Sequence, residues 1–188
     1  MSKVLRYPDN PIFSPDKESS WEAEAVFNPS IVKGDDKYHF VYRALSSPQI
    51  YYGSQMELSS IGYAGSLDGF HFADRYLLVS PEYKWEQFGV EDPRVTRLDG
   101  KYYIFYTALS EYPLTPEGIK IGVAITKDFK NIESKHQVTH FNSKAMALFP
   151  EKIGGKFTVV LTANTDKPPS KIAIAQFDSE EDLWSKSY

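Results

Sequence analysis

An internal repeat constrains the fold of this chain more than any other feature of its sequence. Residues 28–44 align without a gap with residues 92–108, at a constant offset of 64 residues. A third, looser copy covers residues 149–163, with a shorter turn before Lys156. Such a period indicates copies of one supersecondary unit. The identities shared by the first two copies include Pro29 and Pro93, Lys37 and Lys101, Tyr38 and Tyr102, Tyr42 and Tyr106, and Ala44 and Ala108.

The residues of one copy predict a β-sheet. Each copy reads as an apolar strand, a tight turn with Asp-Asp, Asp-Gly or Gly-Gly, and an aromatic strand. A run of small alternating residues follows, at 61–68, 121–128 and 172–178 in the three copies. The pattern predicts a four-stranded antiparallel meander per copy, with the fourth strand least marked. An aromatic share of 15% is typical of a β protein.

One such sheet cannot bury both of its faces alone, so the copies are expected to stack. Radial stacking predicts an all-β β-propeller in one incomplete domain, residues 1–188, with units at about 21–80, 85–135 and 144–188. An antiparallel sandwich or barrel is the alternative. It is less favoured because such folds do not require the segment from proline to alanine to recur at a constant spacing. Common propellers close with about four to eight blades, so a longer protein or a partner chain, as in a homo-oligomer, would complete the ring.

Charge and composition exclude several classes of function. The chain carries 21 Lys and Arg against 25 Asp and Glu, and the net charge of −4 disfavours nucleic acid and anionic membranes as partners. The absence of cysteine excludes disulfides, Cys-based metal sites and a thiol nucleophile. Residues 1–8 lack the apolar run of a signal peptide, and no later stretch is long enough to span a bilayer. A cytoplasmic location is therefore expected.

Residues just before the repeated prolines are the first candidates for a functional site, because the inner strand of a propeller blade starts at the central channel. These residues are Asn28, Glu91 with Asp92, and Phe149. The segment Glu91-Asp92-Pro93-Arg94 has two carboxylates and a guanidinium beside a proline that restricts the backbone. Asn-Pro and Asp-Pro also open ordinary turns, which is the alternative interpretation. The long connections at 45–60 and 110–118 are predicted at the rim of a pocket.

Two cations are further candidates. Arg43 ends the aromatic strand of the first copy, where the second copy has Thr107. It is either a surface residue or a planar donor for sugar hydroxyls or phosphate. Lys144 is a candidate pocket cation, although most lysines are simply solvated. His136 and His140 have a metal-ligand spacing only on a helix, and the residues between them predict an extended segment, so no metal site is expected.

Three motifs are in register with the repeat. They are Phe27-Asn-Pro, Gly89-Val-Glu-Asp-Pro-Arg94 with Tyr103-Ile-Phe-Tyr-Thr-Ala108, and Leu148-Phe-Pro-Glu-Lys152. This set resembles glycoside hydrolase family 130, the β-mannoside phosphorylases and related mannosidases, over nearly the whole chain. The resemblance implies a five-bladed β-propeller with its active site in the central channel, of which this chain holds about three blades.

The resemblance also implies a mechanism. Asp92 would be the general acid for inverting cleavage of a β-mannosidic bond, by hydrolysis or by phosphorolysis to mannose 1-phosphate. Asn28 and Arg43 would hold the mannosyl unit, and Lys144 would help at the phosphate or neighbouring-sugar site. Glu91 and Arg94 are further substrate-binding candidates. The partner would be a β-mannoside oligosaccharide, with inorganic phosphate as a co-substrate and no other cofactor.

One departure from the family pattern bears on the nucleophile. Many phosphorylases carry a His-Arg pair after the Phe-Pro-Glu-Lys strand, whereas this chain has Leu161-Thr-Ala-Asn-Thr-Asp-Lys167. A dianionic nucleophile needs compensating positive charge, so this difference weakens the case for phosphorolysis. Asp166, or a glutamate from a blade that this chain lacks, could instead activate water. The alternative to an enzyme is a propeller fragment that binds sugar or protein without catalysis.

Overall fold

The computed structural model describes residues 5–185, so the first residues of the segment tested for a signal peptide and the end of the third unit lie outside it. The described residues form thirteen strands and three short 3₁₀ helices, and none of these helices is long and apolar enough to cross a membrane. The 3₁₀ helices are Lys84–Glu86, Pro116–Gly118 and Glu181–Trp184. The strands are β1 Ala25–Lys33, β2 Tyr38–Leu45, β3 Gln49–Tyr51, β4 Ser54–Met56, β5 Ser59–Ser66, β6 Ala73–Val79, β7 Gly89–Leu98, β8 Lys101–Leu109, β9 Ile119–Thr126, β10 Ile132–Gln137, β11 Met146–Leu148, β12 Phe157–Ala163 and β13 Lys171–Phe177.

The strands form three consecutive antiparallel sheets and one small hairpin. The first sheet has the order β1-β2-β5-β6, the second β7-β8-β9-β10 and the third β11-β12-β13, and β3 pairs only with β4. The predicted four-stranded meander is confirmed for the first two copies. The third copy shows three strands within the described part of the chain.

The second sheet is buried on both faces, which is why the sheets stack. Side chains alternate across a strand, so neighbouring residues of β8 enter different cores. Ile104 and Tyr106 pack in a cluster with the first sheet, whereas Tyr103 and Phe105 pack in a cluster with the third. The inner strand β7 contacts both β1 and β11. This is the radial arrangement of propeller blades.

The third sheet has one open face. Ile172 and Ile174 on β13 are both exposed, although their aliphatic side chains are typical of a buried strand. A following blade would cover such a face in a closed ring. The three sheets therefore form part of a propeller.

Phe149 does not lie where the sequence predicts it. The repeat predicts the third proline at the start of an inner strand, but Phe149 follows the end of β11, and its N–H donates to the carbonyl of Thr158 at 2.9 Å. The reason is the shorter segment from Pro150 to Lys156, which moves the proline past the strand. The start of β11 lies instead beside Lys144, where the Thr162 N–H donates to the carbonyl of Ala145 at 2.9 Å.

Two buried carboxylates hold the segments that lead into the inner strands. In the first cluster, the Tyr42 hydroxyl donates to Glu22 at 2.8 Å, and Arg75 pairs with the same oxygen at 2.7 Å. In the second cluster, the Tyr106 hydroxyl donates to Glu86 at 2.7 Å, and Lys135 forms an ion pair with Glu86. Both glutamates are almost completely buried. The two clusters repeat the same contact between an entering segment and the outer strands of its sheet.

These clusters explain repeat features that lie outside the three motifs. The dipeptide Trp-Glu occurs at 21–22 and again at 85–86, at the same offset as the prolines. Gly62 and Gly122 lie opposite Tyr42 and Tyr106 in the paired strands, and a Cβ at either glycine would overlap the tyrosine ring. The glycines therefore make room for the rings that donate to the glutamates.

We expect Tyr106→Phe to lower the free energy of unfolding by about 1–3 kcal/mol, because it leaves a buried Glu86 oxygen without its donor. Tyr102→Phe is the matched control, since Tyr102 is a buried tyrosine of the same strand with no hydroxyl hydrogen bond in the described structure. Its effect should stay within about 0.5 kcal/mol. Urea denaturation of both variants measures the difference, and equal effects would contradict the role given to the Tyr106 hydroxyl.

Candidate active site

Two β-bulges place the candidate residues at the start of the inner strands. The pairing of β1 with β2 shifts between Phe27 and Ser30, and that of β7 with β8 shifts between Glu91 and Arg94. Within these bulges, Asn28 and Asp92 have φ values of 47° and 51°. Asn and Asp tolerate this left-handed conformation better than most residues, although a residue before proline is normally extended. Each bulge therefore re-aims one polar side chain, so that it no longer follows the alternation of side chains along its strand.

The two re-aimed side chains meet across the boundary between the first and second sheets. The Asn28 side-chain amide donates to Asp92 Oδ1 at 2.8 Å. The side chain of Asp92 is 31% exposed, so its carboxylate remains accessible to a ligand. The turn-opening interpretation of the two prolines does not account for this contact, because an ordinary turn needs no partner on another sheet.

Arg43 connects the first sheet to both carboxylates of the second. Its guanidinium pairs with Glu91 Oε1 at 2.5 Å and with Asp92 Oδ1 at 3.5 Å, and its Nε donates to Ser59 at 2.9 Å. The guanidinium also lies over the ring of Phe27, 4.7 Å from its centroid. Arg43 is half-buried and its donors engage protein side chains, so it is not a solvated surface residue.

Burial raises the pKa of Glu91, since desolvation disfavours the charged carboxylate. Arg43, the hydrogen bond with Ser59 and the more distant Lys144 oppose this shift, whereas the negative charge of Asp92 adds to it. Two adjacent carboxylates thus differ in environment, with Glu91 in the more buried position.

Lys144 lies at the next sheet boundary rather than in contact with Asp92. Its backbone carbonyl accepts a hydrogen bond from Thr107 at 2.6 Å, so Thr107 reaches the third sheet as Arg43 reaches the second. The Lys144 ammonium pairs with Asp166 at 2.6 Å, and the Asn142 amide donates to Asp166 at 3.0 Å. Burial would raise the pKa of Asp166, but these two hydrogen bonds outweigh it and lower the pKa.

Arg94 points away from the Asp92 carboxylate. It donates to the backbone carbonyls of Pro93 at 2.8 Å and of Asp92 at 3.3 Å, and no ion pair of Arg94 occurs within residues 5–185. It lines a groove of about 190 Å³ beside Leu161 and Ile172 of the third sheet. The four residues of the Glu91–Arg94 segment therefore face two different sheet boundaries.

A cleft of about 500 Å³ opens beside Arg43 and Glu91. Its walls come from the two long connections, as predicted: residues between 45 and 59 form one side, and Tyr112 and Leu114 form part of the other. Phe88 also lines the cleft and was not identified from the sequence. Its position just before Gly89, where the inner strand begins, is the sequence feature that could have identified it as a cleft residue. A volume of this size suits a small ligand with more than one ring.

His136 and His140 do not form a metal site. His136 lies in the extended strand β10 and stacks on Trp184 at 4.1 Å, which agrees with the predicted extended segment. Within residues 5–185 no group of three or more His, Cys, Asp or Glu side chains could hold a metal ion. The candidate site consists of carboxylates, an amide and cations.

Comparison with known proteins relates this arrangement to one family. The sequence profile described as beta-1,4-mannooligosaccharide phosphorylase, that of glycoside hydrolase family 130, matches residues 4–186. The chain belongs to glycoside hydrolase family 130 (GH130). A beta-1,2-mannobiose phosphorylase of a Thermoanaerobacter species is 37% identical over 85% of this chain and 54% of the relative. A 1,2-beta-oligomannan phosphorylase of the same organism is 36% identical over 85% of this chain and 53% of the relative.

The solved structures agree on the fold. The beta-1,2-mannobiose phosphorylase of Listeria innocua, in complex with beta-1,2-mannobiose, superposes with a TM-score of 0.77 at 22% identity, over 93% of this chain and 62% of that one. GH130 proteins are five-bladed propellers, so the predicted fold class is confirmed and the three sheets are three of those blades. The chain spans about half the length of the curated relatives it matches.

The raised pKa of Glu91 in this GH130 chain predicts a pH dependence of stability. The unfolded chain releases the Glu91 proton near its ordinary pKa of 4.5, whereas the folded protein releases it at higher pH. The folded protein therefore binds more protons in this window, and its stability falls as pH rises from 4.5 through the folded pKa. Denaturation of wild type and Glu91→Gln across this range should show wild type losing stability relative to the variant. A pH-independent difference would argue against the shift.

Proposed function

We propose that this chain carries the acid-bearing part of an enzyme that cleaves β-mannosidic bonds with inversion, with inorganic phosphate as the nucleophile. The observation that carries the proposal is the contact of Asn28, Asp92 and Arg43 across the boundary of two blades. Membership of GH130 and relatives named as mannoside phosphorylases support it.

In the proposed reaction, Asp92 is the general acid. Its proton goes to the glycosidic oxygen, directly or through a sugar hydroxyl, as the bond from that oxygen to the anomeric carbon breaks. A phosphate oxygen forms the new bond to the anomeric carbon from the opposite face, so mannose 1-phosphate and a shortened oligosaccharide are released. Asn28 and Arg43 hold hydroxyl groups of the mannosyl unit, and the half-buried Glu91 keeps Arg43 in place.

The distribution of charge favours phosphate over water as the nucleophile. From the sequence, Asp166 is a candidate for activating water. In the structure its carboxylate pairs with Lys144 and accepts a hydrogen bond from Asn142, and its pKa is lowered. A carboxylate in this environment is a weak base. Arg94 makes no ion pair within residues 5–185, so it is the cation we assign to phosphate, whereas Lys144 would have to exchange its pairing with Asp166 to reach phosphate.

The first experiment measures products from β-linked manno-oligosaccharides, with and without inorganic phosphate, using the longest natural polypeptide that contains this chain. We expect mannose 1-phosphate only when phosphate is present. Free mannose without phosphate would replace phosphorolysis by hydrolysis. If neither product forms, the result favours the second candidate, a propeller fragment that binds sugar or protein without catalysis. The open face of the third sheet supports this candidate.

Asp92→Asn should abolish turnover, by at least about a hundredfold, because it removes the proton donor and keeps the shape of the side chain. Binding of the oligosaccharide, measured by titration calorimetry, should stay near the wild-type value. Turnover at the wild-type rate would remove Asp92 from the role of acid.

Asn28→Gly should weaken sugar binding without unfolding the sheet. Glycine accepts the φ of 47° at this position, so the substitution deletes the amide without adding backbone strain. Asn28→Ala adds such strain, and comparison of the two melting temperatures separates backbone from side-chain effects. If Asn28→Gly binds sugar as wild type does, the Asn28 amide has no part in substrate binding.

Cytoplasmic location, the absence of a cofactor other than phosphate, homo-oligomerisation and the limits of one incomplete domain stay predictions from the sequence. A β-mannoside oligosaccharide is the proposed partner of the site.

A further inference from the structure

Four aromatic side chains that contact one another form an aromatic surface beside the cleft. Phe88 lies at the centre, 5.6 Å from the ring of Tyr52, 6.1 Å from Tyr112 and 6.3 Å from Tyr51. The rings of Tyr51 and Tyr52 lie 4.8 Å apart in an edge-to-face contact. Phe88 and Tyr112 line the same cleft as Arg43 and Glu91, whereas Tyr51 and Tyr52 line a neighbouring pocket, so Phe88 connects the aromatic surface to the candidate active site.

Much of this surface is uncovered within the described chain. Tyr52 is 69% exposed and Tyr112 is 44% exposed. Contacts among the rings restrict their orientations in advance, which lowers the entropy lost when a ligand binds. Contiguous exposed apolar patches, unlike single exposed side chains, mark interaction sites or ligand-binding grooves.

Tyr52 occupies a backbone position that suits another residue. It and Gly53 form the two-residue turn between β3 and β4, with φ values of 47° and 80°. A turn with both φ values positive is the type I′ turn, for which Asn-Gly is the preferred sequence. A bulky side chain in the left-handed region is strained, and strain of this kind is a pointer to function. The turn therefore holds Tyr52 outward at the expense of its own stability.

The polar groups of the cleft favour a neutral, hydroxyl-rich ligand. Gln55, Glu57 and Ser59 supply donors and acceptors along the wall. The cleft contains one cation, Arg43, among its lining residues, and this cation is already paired with Glu91. An anionic group would meet two carboxylates there, whereas a sugar can accept and donate hydrogen bonds at its edge and place its C–H face on an aromatic ring.

We propose that Tyr52 and Tyr112 bind a sugar ring of the oligosaccharide beyond the units next to the cleaved bond, and so set a preference for longer chains. This proposal rests on the proposed function, because it places the cleaved bond at Asn28 and Asp92. The chain of the substrate then runs from Asp92 past Arg43 and along the cleft to the aromatic surface. A second copy of this protein seated on the aromatic surface is the competing occupant.

The test compares affinities for mannobiose and mannotetraose, each with β-1,2 and with β-1,4 linkages, by titration calorimetry on the longest natural polypeptide. Tyr52→Asn is the decisive variant, because asparagine suits the turn and should keep or raise the melting temperature. We expect its affinity for the preferred mannotetraose to fall about tenfold, and that for mannobiose to stay within about twofold. Tyr112→Ala should show the same selective loss.

Phe70→Ala is the matched control. Phe70 is 45% exposed, much like Tyr112. It lies in the turn that follows the C-terminal end of β5, whereas Ser59, at the N-terminal end of β5, lines the cleft. The eight residues of β5 separate it from the cleft by about 26 Å. Its affinity for both sugars should equal that of wild type.

The outcomes distinguish this inference from the proposed function. If mannobiose binds and Tyr52→Asn and Tyr112→Ala leave the affinity for mannotetraose unchanged, the aromatic surface does not bind sugar and only this inference fails. If Tyr52→Asn dissociates an oligomer without a selective effect on mannotetraose, the occupant is a second copy, and the inference is again wrong. If neither sugar binds at either linkage, the proposed function fails together with it.

Discussion

The ion pair from Arg43 to the carboxylates of the second sheet is the contact on which the rest of the candidate site depends. Glu91 is largely removed from water, and a buried carboxylate without a cation would be strongly destabilising. Arg43 compensates this cost and at the same time joins two blades that share no backbone hydrogen bonds. The position of Asp92 relative to Asn28 is therefore tied to the packing of one sheet on the next.

The repeat builds an asymmetric site from equivalent positions. Arg43, Thr107 and Thr162 occupy corresponding places on the second strands of the three sheets, counted from the shared Ala at the strand end. Arg43 reaches carboxylates, Thr107 reaches a backbone carbonyl, and the Thr162 hydroxyl accepts from the backbone of its own sheet. A common backbone frame thus carries different chemistry at each blade boundary, so equivalent positions of the repeat form an asymmetric site.

Stability and function use separate parts of the same repeat. The buried Glu22 and Glu86 clusters hold the entering segments at the outer strands, whereas the bulges at Asn28 and Asp92 strain the backbone at the inner end. Strained residues persist only where the surrounding structure holds them. The glutamate clusters anchor these segments a few residues ahead of the bulges, so a rigid outer contact precedes each strained inner one.

Much of this could be predicted from the sequence, because an antiparallel repeat has local rules. Alternation, turn dipeptides and the constant offset predicted the meanders, the pocket-rim connections and the candidate pair Asn28 and Asp92. The predicted position of Phe149 is wrong, because a shared proline does not fix the strand register once the length of the segment before Lys156 changes. The Glu86 cluster was missed because its members are separated in the sequence and no local pattern links a buried glutamate to a tyrosine two strands away.

The sequence by itself determined the sheet units, their order and the chemical types available at each inner strand. Only the tertiary structure decided which of these groups meet: that Arg43 binds Glu91 and Asp92, that Lys144 is occupied by Asp166, that Arg94 turns to the other boundary, and that Tyr52 joins Phe88. The physical reason is that these contacts cross between sheets. Their geometry follows from how two twisted faces pack, and packing depends on all the side chains of both faces at once.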